Sequence, residues 1–94
     1  MGRSVKVKLF GTLRLKFRPW ETEIEIPSPV RLKEFLALLE EKYPGLSEVL
    51  LAEGNLRKGV IILKEGRNIW HLKGLDTEIS PGERLVIFPP GAGG

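Results

Sequence analysis

Chemistry on a protein needs a nucleophile, an acid–base pair, a metal cage or a reactive end group, and this 94-residue chain offers few of them. It has no cysteine, which removes thiol nucleophiles, disulfides and cysteine-based zinc sites. His71 is the single histidine. Between Trp70 and Leu72 in a β-rich run it reads as a surface or edge residue, and nothing near it has metal-ligand spacing, so no metal site is expected. Glu40-Glu41 and the alternating Glu23 and Glu25 read as solvated faces. GNLRKG, residues 54–59, is a glycine-flanked basic loop without P-loop spacing; it is either a solvated loop or a contact for an acidic partner. What remains is FPPGAGG, Phe88 to Gly94. Read as a C-terminus, it holds Gly91, Ala92, Gly93 and Gly94 beyond two stiff prolines, Pro89 and Pro90. That arrangement looks like presentation, and the competing reading is an unselected, frayed end.

The elements that must position this segment follow from periodicity. SVKVKLF alternates Val5, Val7 and Leu9 with Lys6 and Lys8, a half-buried strand. ETEIEI alternates again, and Pro27 ends it; the two strands are expected to form a hairpin around GTLRLKFRPW. In SPVRLKEFLALLEEKYPGL the period changes. Leu32, Phe35, Leu36, Leu39 and Tyr43 fall at i, i+3, i+4, i+7 and i+11, one stripe of an amphipathic helix. Ser28 is the expected N-cap with Pro29 in the first turn, and Pro44-Gly45 is the stop. LSEVLLAE suggests a short helical turn before the 54–59 loop. VIILK and NIWHL read as a second hairpin around Glu65, Gly66 and Arg67. Ser80-Pro81-Gly82-Glu83 is a turn, and Leu85 to Phe88 is a continuous apolar run typical of a central, two-sided strand. The most economical closure runs the last strand parallel to the first. The expectation is therefore one α+β domain over residues 1–94, a β-grasp with a mixed four- to five-stranded sheet, one main helix on one face, and 89–94 as an extended tail.

Composition bounds the setting. A hydrophobic share of 41% with 29% charged residues excludes a disordered chain. No stretch approaches the roughly 20 apolar residues that span a bilayer. MGRSVKVKLF lacks an apolar h-region, so a cytoplasmic location without membrane association is expected. A net charge of +3 is small and spread along the chain, weak support for nucleic-acid binding.

NIWHLKGLDTEISPGERLVIFPPGAGG, Asn68 to Gly94, resembles the C-terminal portion of the MoaD/ThiS family of ubiquitin-like sulfur carriers, and the helix followed by YPGL resembles it too. Leu46 to Lys58 matches least, and its length favours the MoaD-like branch. The resemblance implies that Gly94 carries the carboxylate adenylated by an ATP-using activating enzyme of MoeB/ThiF type and then converted to a thiocarboxylate, with Gly93 its companion. It also implies a sulfur donor, a MoaE-like large subunit of molybdopterin synthase, and a role in molybdenum or tungsten cofactor synthesis. Other relatives serve tRNA thiolation or are joined to protein lysines. On this reading the chain is a carrier and substrate rather than an enzyme. It binds no cofactor itself; ATP is consumed by its partner.

The tail suits that use. Glycines lack Cβ atoms, so Gly93 and Gly94 can pass a constriction, while Pro89 and Pro90 donate nothing to a sheet ladder and force the strand to end. Phe10 shares a face with Lys6 and Lys8, opposite Val7 and Leu9, and Phe88 shares one with Val86. With the helix on the Val7 side, Phe10 and Phe88 either form an apolar partner-binding patch beside the tail or are covered by loops or by Trp20. Pro89, Pro90, Gly91 and Ala92 complete the expected partner-binding set. Three functions stand: sulfur carriage for molybdopterin, lysine modification through Gly94 with or without sulfur donation to tRNA, and an RNA-binding module using Lys6, Lys8, Arg14, Lys16 and Arg18. The third is weakest, because interleaved exposed aromatics are missing.

Overall fold

The computed structural model describes residues 3–91. In chain order its elements are β1 (Ser4–Leu9), α1 (Leu13–Lys16), β2 (Glu21–Glu25), β3 (Val30–Arg31), α2 (Leu32–Lys42) and α3 (Leu46–Leu50). Then follow β4 (Leu51–Ala52), β5 (Asn55–Leu56), β6 (Ile61–Lys64), β7 (Arg67–Asn68), β8 (Glu78–Ile79) and β9 (Arg84–Phe88). The main sheet has the order β2-β1-β9-β6-β7. β1 and β9 run parallel, with Val7 opposite Leu85 and Leu9 opposite Ile87, while β2 and β6 flank this pair antiparallel. This is the ubiquitin-like β-grasp, an α+β fold with a mixed five-stranded sheet.

The core sits between one face of the sheet and α2. Val5, Val7 and Leu9 of β1, Leu85 and Ile87 of β9, and Ile62 of β6 all point into it and are buried. From the other side α2 supplies the expected stripe, Leu32, Phe35, Leu36 and Leu39, followed by Tyr43, all buried. The apolar run of β9 is central as expected, but only one side is fully covered. Leu85 and Ile87 are buried, whereas Val86 and Phe88 lie half-buried on the open face.

Three local expectations are corrected. The main helix starts at Leu32 rather than at a Ser28 cap. Val30 and Arg31 pair instead with Ile79 and Glu78, and Leu32 donates its N–H to the Thr77 carbonyl at 2.8 Å, so tertiary pairing holds this stretch extended. The Arg31 N–H then donates to Glu34 Oε1 at 2.9 Å, a local cap of the first turn. NIWHL is not a strand beyond Asn68. The Asn68 side chain accepts the Trp70 N–H, and Ile69–His71 turns into a 3-10 helix that buries Ile69 and exposes Trp70 and His71. Within the 54–59 loop, Asn55–Leu56 is a strand paired with Leu51–Ala52.

Glu40 joins α2 to α3. Its carboxylate accepts the Gly45 and Ser47 N–H groups, each at 2.8 Å, at the start of α3. These backbone hydrogen bonds hold its pKa below the ordinary glutamate value. A carboxylate with a depressed folded pKa contributes stability above the ordinary value, about 4.3, and loses it as pH falls through the folded one. Glu40→Gln is therefore expected to lower Tm at neutral pH, with the gap to wild type closing as the solution is acidified below roughly pH 4. A gap that stays constant across a Tm series from neutral to acid pH would contradict the capping role.

Candidate functional site

β9 is the central strand, and the chain leaves the sheet at its end between its two neighbours. Phe10 still donates its N–H to the Ile87 carbonyl at 2.9 Å, and Phe88 sits opposite Ile61 of β6. Beyond that point Pro89 and Pro90 have no N–H to donate, and the ladder stops. The expected extended tail from Pro89 is corrected in part. Pro89 is buried in the body of the domain, and Pro90-Gly91 form a turn with Gly91 at φ +70°. The Pro89 ring lies against Gly11, just after β1. Ala92, Gly93 and Gly94 lie outside the described residues.

Two glycines line this exit. Gly11 has φ +63°, and a Cβ there would stand 3.1 Å from Pro89 Cδ and 3.2 Å from Cγ. Gly59, in the loop before β6, has φ +93°, and a Cβ there would stand 3.1 Å from the Gly91 nitrogen and 3.5 Å from Pro90 Cα. Both residues sit in the left-handed region that glycine enters without strain. In the sequence they stand only as the first residue of GTLRLKFRPW and the last of GNLRKG. A glycine's tertiary contact leaves no local pattern, so nothing in the sequence marked them as neighbours of the tail.

On the open face beside the exit, the rings of Phe10 and Phe88 stack with centroids 5.1 Å apart and planes at 16°. The structure thus brings together the two aromatic residues expected there, both half-buried. Part of the cover is a cation. The Arg14 guanidinium of α1 lies 4.4 Å from the Phe10 centroid and 4.1 Å from that of Trp20, and Arg14 Nε donates to the Leu9 carbonyl at 2.8 Å. Lys8 Nζ stands 5.4 Å from the Phe10 ring. Val86, Leu63 and Ile61 extend the apolar strip across β9 and β6, with Ile61 41% exposed. Ile61 and Leu63 were missed because Val60 to Leu63 is apolar without a break, so which residues faced outward depended on the pairing register. A shallow groove bordered by Lys6, Lys8, Phe10, Glu21, Glu23 and Arg84 runs alongside.

His71 is exposed on its 3-10 turn, and no group of three or more potential metal ligands occurs among the described residues. Of the five basic residues offered for RNA, three lie against acidic or aromatic neighbours, while Lys16 and Arg18 are exposed. Lys8 pairs with Glu21 at 3.3 Å, Lys6 lies opposite Glu23, and Arg14 is engaged between two rings. In the 54–59 loop Arg57 Nε donates to the Glu48 carbonyl at 2.9 Å, leaving Lys58 exposed next to Gly59. Tyr43, whose hydroxyl donates to the Pro19 carbonyl, has its phenol pushed above the ordinary range by burial. That tyrosine is structural, locking α2 to the loop that carries Trp20. No described helix is long and apolar enough to cross a membrane.

A family model described as the ThiS family matches residues 7–94, nearly the whole chain. The chain belongs to the ThiS family. Among its ThiS-family relatives, small archaeal modifier protein 3 of Haloferax volcanii is 30% identical over 91 residues, covering 97% of this chain and 99% of that protein. The molybdopterin synthase sulfur carrier subunit of Pyrenophora tritici-repentis is 26% identical over 74 residues, 79% of this chain and 74% of that one. The solution structure of small archaeal modifier protein 1 from Methanosarcina acetivorans superposes with a TM-score of 0.79 at 34% identity, covering 97% and 96% of the two chains. The chain thus belongs with small ubiquitin-like sulfur carriers and modifiers.

Proposed function

We propose that this protein is a sulfur carrier activated at the Gly94 carboxylate. One observation carries the reading: the central strand delivers Pro89–Gly91 to the rim of the sheet, directly beside the Phe10–Phe88 stack. A carboxylate is a poor acyl donor because its leaving group would be oxide. Attack of a Gly94 carboxylate oxygen on the α-phosphorus of ATP, with pyrophosphate leaving, supplies AMP as the leaving group. Sulfide-level sulfur from a donor then attacks the carbonyl carbon, AMP departs, and a thiocarboxylate remains. Activation takes place in a MoeB/ThiF-like enzyme that binds the ATP, so the carrier needs only reach and recognition. From Gly91 onward, four residues span at most about 13 Å at roughly 3.3 Å each, enough for the tip to enter a channel while the body stays outside. Gly93 and Gly94 keep that tip thin.

The fate of the sulfur divides into two readings. As the small subunit of molybdopterin synthase, the protein delivers sulfur in the pocket of a MoaE-like large subunit; similarity to the sulfur carrier subunit of Pyrenophora tritici-repentis supports this. Similarity across 97% of the chain to small archaeal modifier protein 3 supports the second, conjugation to lysines through Gly94, with or without sulfur donation to tRNA. Intact-mass measurement of the protein purified from its own cells, with peptide mapping of lysine conjugates from the same cells, separates them. A species heavier by one oxygen-to-sulfur exchange marks sulfur carriage, which both readings allow, and a tryptic Leu85–Gly94 remnant in isopeptide linkage on lysines marks the modifier. Neither product, in cells that also make the activating enzyme, would overturn both.

A further inference from the structure

We infer that Gly11 and Gly59 form a two-sided exit that sets the direction in which the tail leaves the sheet, with Gly59 the specificity-critical positioning residue for activation. The strands next to β9 are β1 and β6, and each has one of these glycines beside the departing chain, Gly11 just after β1 and Gly59 just before β6. The two contacts differ in kind. Gly11 faces ring atoms of Pro89, a buried residue that belongs to the body. A Cβ added at Gly59 would face backbone, the Gly91 nitrogen at 3.1 Å and Pro90 Cα at 3.5 Å, at the turn from which the remaining residues depart. A methyl group at 59 cannot be accommodated by a side-chain rotation of its neighbour, because the neighbour is main chain. Pro90-Gly91 or the loop at Gly59 must give by a few tenths of an ångström, and a shift at this turn changes the direction in which the following residues leave.

This inference rests on the reading that Gly94 is activated, and predicts a particular kinetic signature. A re-aimed tail enters the partner's channel in a smaller fraction of encounters, which weakens apparent affinity in proportion to that fraction and leaves the chemical step unaltered once the tip is seated. Gly59→Ala should raise KM for the carrier in ATP–pyrophosphate exchange about tenfold with kcat within about twofold of wild type.

Alanine at φ +93° is also strained, so the control must share the strain without the contact. Gly82 has φ +92° with nothing within 4 Å of an added Cβ. Gly82→Ala should lose comparable thermal stability and keep the wild-type KM. Gly59→Asn, better tolerated at positive φ, retains the Cβ and should reproduce the KM effect if the alanine variant folds poorly. Equal KM values for the position 59 and position 82 variants would overturn the inference. In isolated, 15N-labelled full-length protein, the Gly91 amide resonance should shift in Gly59→Ala and not in Gly82→Ala. If wild-type protein supported no exchange at all, the activation reading would fail, and this resonance alone would decide the exit: an unmoved Gly91 signal overturns it.

Discussion

Removing Gly94, or replacing it by Ala, is expected to lower kcat/KM for ATP–pyrophosphate exchange with the cognate activating enzyme by about 100-fold or more, equivalent to roughly 2.7 kcal/mol of transition-state stabilisation. Deletion withdraws the reacting carboxyl by one residue, and a near-attack geometry tolerates displacements of only about 1 Å before losses of this size. Alanine adds a Cβ at the atom group that must pass closest to ATP. On this reading Gly94 serves the partner rather than the fold, so thermal stability should hardly change, within about 0.5 kcal/mol. Loss of exchange together with a large drop in Tm would point instead to a structural role for the segment. Unaltered exchange would remove Gly94 from the chemistry.

Phe88→Ala is the second large effect. Phe88 stacks on Phe10, lies opposite Ile61, and stands one residue before the prolines that end the strand. Under the proposed function, a partner that takes the tail meets this strip beside the exit. Aromatic anchors at the centre of protein interfaces cost about 2 kcal/mol or more on truncation, a loss of about 30-fold in affinity for the activating enzyme. Some stability is lost as well, because the ring is half-buried, so affinity must be compared at a temperature where the variant is folded. Leu38→Ala supplies the control: Leu38 is exposed on α2, away from the open face of the sheet, and its truncation should leave affinity unchanged. Full-strength binding by Phe88→Ala, measured by titration calorimetry, would show that partners do not use the strip.

How much of this was legible in the sequence depended on whether the signal was local. The 3.6-residue stripe from Leu32 to Tyr43 and the alternation of Val5, Val7 and Leu9 are local, and both faces formed as read. The central place of β9 was read from the uniformly apolar Leu85 to Phe88 and its parallel run with β1 from the most economical closure; both formed, although the run reads as a strand buried on two faces and only the Leu85 and Ile87 side is fully covered. The start of α2 was misread because Ser28-Pro29 is a good capping sequence, yet Val30 and Arg31 gain more by pairing with Glu78 and Ile79. The Phe10–Phe88 stack could be anticipated from alternation, but its cation cover could not. α1 is a four-residue helix inside a hairpin loop, too short for periodicity, and it alone brings Arg14 over both Phe10 and Trp20. Least visible were Gly11 and Gly59, whose meaning lies in a contact with residues far along the chain.

The most direct measurement is chemical trapping of the activated carboxyl. The protein is incubated with ATP, its activating enzyme and hydroxylamine, which attacks an acyl-adenylate to release AMP and leave a hydroxamate at the activated carbon. Fragment mass spectrometry then locates the modification. The account predicts a single ATP-dependent hydroxamate on Gly94. A hydroxamate on a glutamate or aspartate side chain, or none while the enzyme remains active on another carrier, would contradict it.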